Sequence, residues 1–149
     1  MPKPGFSGNA RDLINLGSRL RELASVPSQA VKAASEDIAD LIEKEFDAGN
    51  DAYGQPWAPL KKSTLKKGRH PPPLTDTRQL RESVEVKPMK GAGIQITLDE
   101  VPGVFHQKGT KNMVKRPILP DGPRMPEPWT QAIASAADEA VSKRMGAAK

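Results

Sequence analysis

Residues 53 to 84, YGQPWAPLKKSTLKKGRHPPPLTDTRQLRESV, separate a part of the chain with helical periodicity from a part with strand periodicity. This stretch has prolines at positions 56, 59, 71, 72 and 73. Each proline removes a backbone donor and restricts the residue before it, so regular helix and central strand are excluded. We therefore predict an extended connection that Trp57 and Leu60 hold in place. A tryptophan between prolines favours packing of this segment onto a helix, and a ligand-binding aromatic is the alternative.

The sequence before this stretch predicts two helices. The first begins near Asn9, and one side of it carries Leu13, Leu16, Leu20 and Leu23. The second begins after Ser25 and extends to about Ala48, where Gly49 and Asn50 end it. One apolar stripe runs along this second helix and consists of Val31, Ala34, Ile38, Leu41, Ile42 and Phe46. We expect the stripe to lie in the core; a groove on a partner protein is the alternative.

The sequence after this stretch predicts a β-hairpin. Apolar and polar residues alternate over residues 84–87 and again over 94–98, with a glycine-containing turn between them. One face of the hairpin is therefore apolar and the other polar, so a helix should cover one side only, and the long helix is the candidate. Thr75, Asp76 and Thr77 are predicted to cap a short helical turn that precedes the hairpin.

Shorter elements are predicted for the last third of the chain. Residues 101–103 should break the strand pattern, and residues 104–107 form a short apolar segment before an exposed loop at 108–112. Residues 113–119 are predicted to add a strand that a proline limits. A helix rich in small residues then covers 129–146 and packs on the core or on a neighbouring subunit. The predicted fold class is α+β, with a small antiparallel sheet, a long N-terminal helix packed on one face, proline-rich extended loops and a C-terminal helix.

The composition fits one domain with a thin core. The chain has 149 residues, of which 36% are hydrophobic and 4% aromatic, and it contains 15 prolines. We divide it into a disordered arm, residues 1–8, and a single domain, residues 9–149. Because apolar residues are few, we expect assembly to add stability. The chain lacks cysteine and any window apolar enough to span a bilayer, so we expect a soluble protein made in a reducing cytoplasm.

The excess of positive charge is concentrated in one place. The net charge is +5, and no acidic residue interrupts a run that contains Lys61, Lys62, Lys66, Lys67 and Arg69. The flanking prolines limit the freedom of this run, so we expect it to face an acidic partner surface or DNA; a solvated loop is the alternative. No aromatic residue lies between the lysines to stack on bases, which disfavours readout of a nucleic-acid sequence.

The sequence lacks a recognisable catalytic constellation. Its two histidines, His70 and His106, are not at metal-ligand spacing, and no phosphate-binding glycine loop, nucleophile elbow or zinc-protease helix occurs. His106 could act as a general base with Asp99 or Glu100, although a side-chain hydrogen bond beside a loop is the simpler interpretation. We therefore predict no enzymatic activity, no metal, no cofactor, no small-molecule substrate and no membrane partner.

Four groups of residues occur in a characteristic order. They are Gly54, Trp57, Pro59, Leu60 and Thr64; then Leu74, Asp76, Thr77, Leu80, Ser83 and Val84; then Phe105, His106, Gln107 and Gly109; then Arg116, Pro117, Ile118 and Leu119. In this order they resemble the landmarks of the phage virion morphogenesis family, which includes the tail completion proteins of long-tailed bacteriophages. The resemblance spans residues 54–119, and the flanking helices also fit it.

The resemblance implies a structural protein of the phage neck, a connector that completes the tail and joins it to the DNA-filled head as a ring of identical subunits. Its partners would be further copies of itself, other neck, portal or tail proteins and, through non-specific contact, packaged DNA. It would pass from the host cytoplasm into the virion.

In that role, the loops at 51–73 and 107–127 would clasp neighbours. The interface residues would be Trp57, Leu60, Phe105, His106, Lys108, Lys111 and Arg116. The alternatives are a basic nucleic-acid-binding module, a minor head-morphogenesis protein of the same family, and a hydrolase that uses His106.

Overall fold

The computed structural model describes residues 26–74, 78–90, 93–98 and 101–146. The predicted arm at 1–8, the predicted helix from Asn9 to Leu23 and the predicted cap at 75–77 lie outside these residues. The elements in chain order are α1 (Val26–Ala48), α2 (Lys62–Leu65), α3 (Arg78–Glu82), β1 (Val84–Pro88), β2 (Ile94–Leu98), α4 (Val101–Lys108) and α5 (Glu127–Gly146). None of the helices in the described ranges has the length and apolar character needed to cross a membrane.

Helix α1 is the centre of the molecule, and its apolar stripe is buried as predicted. Ile38, Ile42 and Phe46 lie in the core, where Phe46 has no exposed surface. The hairpin packs against one part of α1 and α5 packs against another. The predicted α+β architecture is therefore confirmed. The core around α1 also contains Ala52, Trp57, Leu80, Ile118 and Trp129, which come from loops and from the later helices.

The end of α1 follows from one glycine. Gly49 has a φ of +70°, a backbone conformation that side chains with a Cβ disfavour. The amide of Asn50 donates to the carbonyl of Glu45 at 3.2 Å and the amide of Gly49 donates to that of Phe46 at 3.3 Å, the paired bonds of a Schellman cap. A Cβ on Gly49 would lie only 2.8 Å from the Cβ of Pro72. The glycine thus ends the helix and lets the proline-rich segment approach it.

The hairpin has the two predicted strands, and the structure adds their register. β1 and β2 pair antiparallel, with Val84 opposite Leu98 and Val86 opposite Ile96. These half-buried side chains pack against the core, whereas the alternating residues Glu85, Lys87 and Gln95 are exposed. The alternation therefore places one face of the sheet against α1, as predicted from the period of two.

The strand pattern breaks at residues 101–103 as predicted, and a helix that was not predicted, α4, begins there. Pro102 lies in the first turn of this helix, where a missing amide donor costs nothing. Gly103 is buried against the hairpin, and a Cβ on it would lie 2.8 Å from a side-chain atom of Leu98. The glycine therefore serves close packing between α4 and β2, and the segment 104–107 is helical.

The strand predicted at residues 113–119 is also absent from the described structure, which shows only an isolated bridge between Thr110 and Met113. The side chain of Gln107 makes the hydrogen bonds to this segment that a neighbouring strand would otherwise make. Its oxygen accepts the amides of Ile118 and Leu119, each at 2.8 Å, and its nitrogen donates to the carbonyl of Leu119 at 2.8 Å. These bonds satisfy backbone groups that a strand would have paired in a ladder.

Helix α5 packs on α1 within the same chain, which decides between the two predicted locations. Trp129, Ala136 and Ala140 are its buried residues. The indole of Trp129 donates from Nε1 to an oxygen of Glu45 on α1 at 3.0 Å. The other carboxyl oxygen of Glu45 is buried and has no hydrogen-bond partner among the described residues. This carboxyl group therefore connects the two helices in a poorly solvated place.

Burial of Glu45 predicts that stability depends on pH. Desolvation raises the pKa of this carboxyl to about 7 and Asp51 adds to the rise, although the bond from Trp129 opposes it. The folded state thus holds a proton between pH 4.5 and 7 that the unfolded state has lost, so stability is highest below this window and falls as pH rises through it. Because the side chain is partly exposed, we expect a loss on the order of 1 kcal/mol.

Urea denaturation of the wild type and of Glu45→Gln from pH 5 to 8.5 measures this effect. The amide cannot ionise and keeps an oxygen for Trp129, so the variant should lose stability less steeply with pH and overtake the wild type above pH 7. Parallel curves for the two proteins would contradict the expectation.

Candidate functional site

Trp57 connects the proline-rich segment to the core. Its ring packs edge-on against Phe46 of α1, with 5.4 Å between the ring centroids, and its Nε1 donates to the carbonyl of Pro117 at 2.8 Å. The side chain is 5% exposed. The predicted packing of this segment onto a helix is confirmed. Trp57 exposes almost no surface in the single chain, and its place at an interface stays a prediction.

Arg116 holds the same segment from the other side. Its Nε donates to the carbonyl of Ala58 at 2.7 Å and its Nη2 to the carbonyl of Pro59 at 2.9 Å. Its own amide donates to the carbonyl of His106 at 2.8 Å. The residue is 8% exposed, and burial lowers the pKa of the guanidinium. Arg116 is therefore mostly enclosed by this chain, and its place at an interface stays a prediction.

These contacts form what we call the loop junction, residues 57–59, 106–107 and 116–119. A second tie lies nearby. The hydroxyl of Tyr53 donates to the carbonyl of Arg124 at 2.8 Å and accepts the amide of Gly122 at 2.9 Å. The two long loops that we expected to clasp neighbours are therefore bound to each other within one chain, at two places. Partner contact by these loops must use their remaining exposed side chains.

The basic arm, residues 61–70, projects from the loop junction. It contains the short helix α2, whose turns are closed by amides donating to the carbonyls of Lys61, Lys62 and Thr64. The segment is therefore partly helical, and the expectation of an extended loop is corrected here. The five basic side chains are exposed: Lys61, Lys62, Lys66, Lys67 and Arg69. Their positions are defined by the arm's internal hydrogen bonds and by the loop junction beside it.

A groove of about 420 Å³ lies between the basic arm and the segment 102–116. The side chains that bring basic nitrogens to its walls are Lys61, Arg69, His70, His106 and Arg116. Apolar surface comes from Leu60, Leu74, Met113 and Val114. None of the described residues that line the groove is an aspartate or a glutamate. Among the described residues, the groove thus combines basic side chains with apolar surface.

His106 is half-buried at the wall of this groove. Its Nδ1 is buried and has no hydrogen-bond partner among the described residues. Burial lowers the pKa of the imidazole, and the positive charge of Arg116 lowers it further, so the ring is neutral at pH 7. Asp99 and Glu100, the carboxylates considered as its companions, lie outside the described residues. In the described ranges, no cluster of histidine and acidic side chains has the arrangement of a metal site.

The remaining predicted interface residues lie at the edge of the groove or beyond it. Leu60 is half-buried and lines it. Phe105 lies on α4 and is 48% exposed, an unusual position for a large aromatic side chain. Lys108 and Lys111 are also exposed, and neither lines the groove. The structure therefore places the predicted residues in three environments: buried ties, groove walls and outer surface.

Sequence reasoning identified most of the cationic residues of this site but missed the groove itself. Met113 and Val114 were assigned to a strand, and no sequence signal indicates that they face the basic arm across a gap. No protein-family model matches this chain, and neither a curated protein nor a solved structure matches it significantly.

Proposed function

We propose that this protein is a structural component of a phage neck, which completes the tail and joins it to the DNA-filled head as a ring of identical subunits. The observation that carries the proposal is the loop junction. Three of the four groups of landmark residues meet there through Trp57, Gln107 and Arg116. These landmark residues are far apart in sequence but meet at one junction. Their shared structural role gives a physical reason for their occurring together in one chain.

The fourth group supports the same arrangement. Leu80, on α3, is buried in the core, and Arg81 beside it forms ion pairs with Glu43 and Asp47 of α1. The guanidinium of Arg81 also lies 6.0 Å from the centroid of the Phe46 ring. The landmark groups therefore hold loops on a scaffold. Several of the few core residues of this small protein hold long loops in place. Such an arrangement suits a role in assembly, because loops positioned by a scaffold often carry binding contacts.

Ring formation needs a head-to-tail contact between two different surfaces of each subunit. Exposed apolar side chains on and near α4 offer one such surface, because Val104, Phe105 and Val114 are each more than 40% exposed. Apolar residues of this size on a surface indicate a site of protein contact when they occur together. The basic arm lies on the other side of the groove and is available to a different partner.

The test is to disrupt the gene in the phage or prophage that carries it and to examine lysates by electron microscopy. We expect filled heads and complete-length tails that remain separate, and we expect a plasmid copy of the gene to restore joined particles. Normal yields of infectious particles without the gene would refute the proposal. Lysates that lack filled heads would instead indicate the minor head-morphogenesis role.

A nucleic-acid-binding module is the second candidate, and the exposed basic arm is the observation that favours it. A protein that neutralises several phosphates loses about a thousandfold or more in affinity between 50 and 200 mM salt. Binding of a 20-base-pair duplex measured by fluorescence anisotropy across this range separates the two functions. An affinity that stays in the nanomolar range at 200 mM salt would favour the nucleic-acid role.

A further inference from the structure

The groove beside the basic arm has two kinds of wall. Lys61 and Arg69 contribute cationic groups from the arm, while Leu60, Met113 and Val114 contribute apolar surface. Phosphate alone would use only the cations, and a purely apolar ligand would use only the other side. The ligand that uses both carries negative charge next to apolar side chains.

We propose that this groove binds a short acidic segment of a partner protein, in which a carboxylate contacts Lys61 and an adjacent apolar side chain packs against Leu60 and Met113. The identity of the partner as another phage structural protein rests on the function proposed above. The chemistry of binding rests on the groove alone.

The size and lining of the groove favour a peptide over a nucleic acid. A volume of about 420 Å³ falls within the range of sites that enclose small ligands or a few side chains. No phenylalanine, tyrosine or tryptophan occurs among the described residues that line it, so stacking on bases would depend on the imidazoles of His70 and His106. A sugar-phosphate backbone is polar and charged, so packing against the apolar wall would not stabilise its binding.

The electrostatics of the groove favour a carboxylate. The guanidinium of Arg116, which also lines the groove, is held by the carbonyls of Ala58 and Pro59 and adds a positive charge in a fixed place. Burial and the charge of Arg116 lower the pKa of His106, which favours the uncharged imidazole. A carboxylate that packs into the groove would lose part of its hydration, and its attraction to a fixed cation would be stronger than at the open surface.

Neighbouring lysines provide a matched test. Lys61 lines the groove and Lys62, the next residue, does not, and both are exposed. The purified full-length protein would be titrated against a fluorescein-labelled peptide of alternating glutamate and leucine. Peptides with serine in place of leucine, and with lysine in place of glutamate, test the two walls separately. Anisotropy in 150 mM salt reports each affinity.

We expect the glutamate-leucine peptide to bind and each of the two altered peptides to bind about tenfold more weakly or not at all. Lys61→Glu should weaken binding about tenfold, and Lys62→Glu should change it less than threefold. Met113→Glu, which introduces a carboxylate into the apolar wall, should abolish binding. Circular dichroism of each variant establishes that the fold is retained.

Three results would overturn the inference. One is the absence of binding by the glutamate-leucine peptide, and a second is an equal loss in Lys61→Glu and Lys62→Glu, which would indicate unspecific attraction to the arm. The third is self-association that the peptide displaces, which would make a second copy of this chain the occupant.

Peptide binding with normal joining of heads and tails in the gene-disrupted phage would refute only the phage role. Joining that needs the gene but survives Lys61→Glu would refute only the groove.

Discussion

Replacement of Trp57 by alanine should lower the free energy of unfolding by about 3–5 kcal/mol, the usual range for truncating a buried tryptophan. The substitution removes the ring that packs against Phe46 and the donor that binds the carbonyl of Pro117 at 2.8 Å. It therefore opens a cavity at α1 and leaves a carbonyl of the loop junction without its partner. For a domain of this size the melting temperature should fall by roughly 10 °C.

Trp57→Phe separates the loss of the indole hydrogen bond from the loss of side-chain packing. The phenyl ring keeps most of the packing but cannot donate, so we expect a cost of about 1–2 kcal/mol. Leu65→Ala is the surface control, since Leu65 is 44% exposed on the basic arm and should change stability by less than about 0.5 kcal/mol. An unchanged melting temperature for Trp57→Ala, combined with lost assembly, would instead make this tryptophan an interface residue.

Replacement of Arg116 by methionine should cost about 3 kcal/mol. Methionine keeps much of the side-chain packing but removes the guanidinium that binds the carbonyls of Ala58 and Pro59 at 2.7 and 2.9 Å. Hydrogen bonds from a charged donor contribute about 1.5–3 kcal/mol each to stability. Part of this loss is offset, because the substitution also removes a charge that is costly to bury. Arg116→Lys should recover only part of the loss, since an ammonium cannot reproduce the fork of the guanidinium.

Lys115→Met is the matched control for this prediction. Lys115 is the preceding residue, half-exposed, and forms an ion pair with Asp121 at the surface. An exposed pair contributes less than about 1 kcal/mol. Denaturation in urea compares the two variants directly. Equal effects of the two substitutions would mean that the bonds from Arg116 to the segment 58–59 do not hold the loop junction together.

Most regular elements could be predicted because their signals are local. The stripe of α1, the alternation of the hairpin and the end of α5 depend on residue spacing within one element, and a helix or strand exposes the same spacing in any context. Gly49 could be predicted as a helix end for the same reason. The first predicted helix and the cap at 75–77 lie outside the described residues and stay predictions.

The helix that was missed and the strand that is absent have a common physical cause. Residues 101–103 indicate only a break in the strand pattern, but in the folded chain Gly103 lets α4 lie against Leu98. Residues 113–119 read as a strand, but their backbone groups are bound by the side chain of Gln107, which follows no ladder pattern. In both cases a contact with another element outweighed local propensity, as tertiary packing often does.

The sequence by itself therefore determined the α+β class, the long helix with its buried face, the two strands of the hairpin and the concentration of positive charge at residues 61–70. The tertiary structure alone decided the register of the hairpin, the role of Trp57 and Arg116 as internal ties, the bonds between the two long loops, and a groove beside Lys61 whose described lining residues include no acidic side chain. Periodicity and charge are properties of neighbours in the chain, so they can be read from it. The loop junction and the groove beside it bring together residues up to 60 positions apart, which only the packing around α1 makes neighbours.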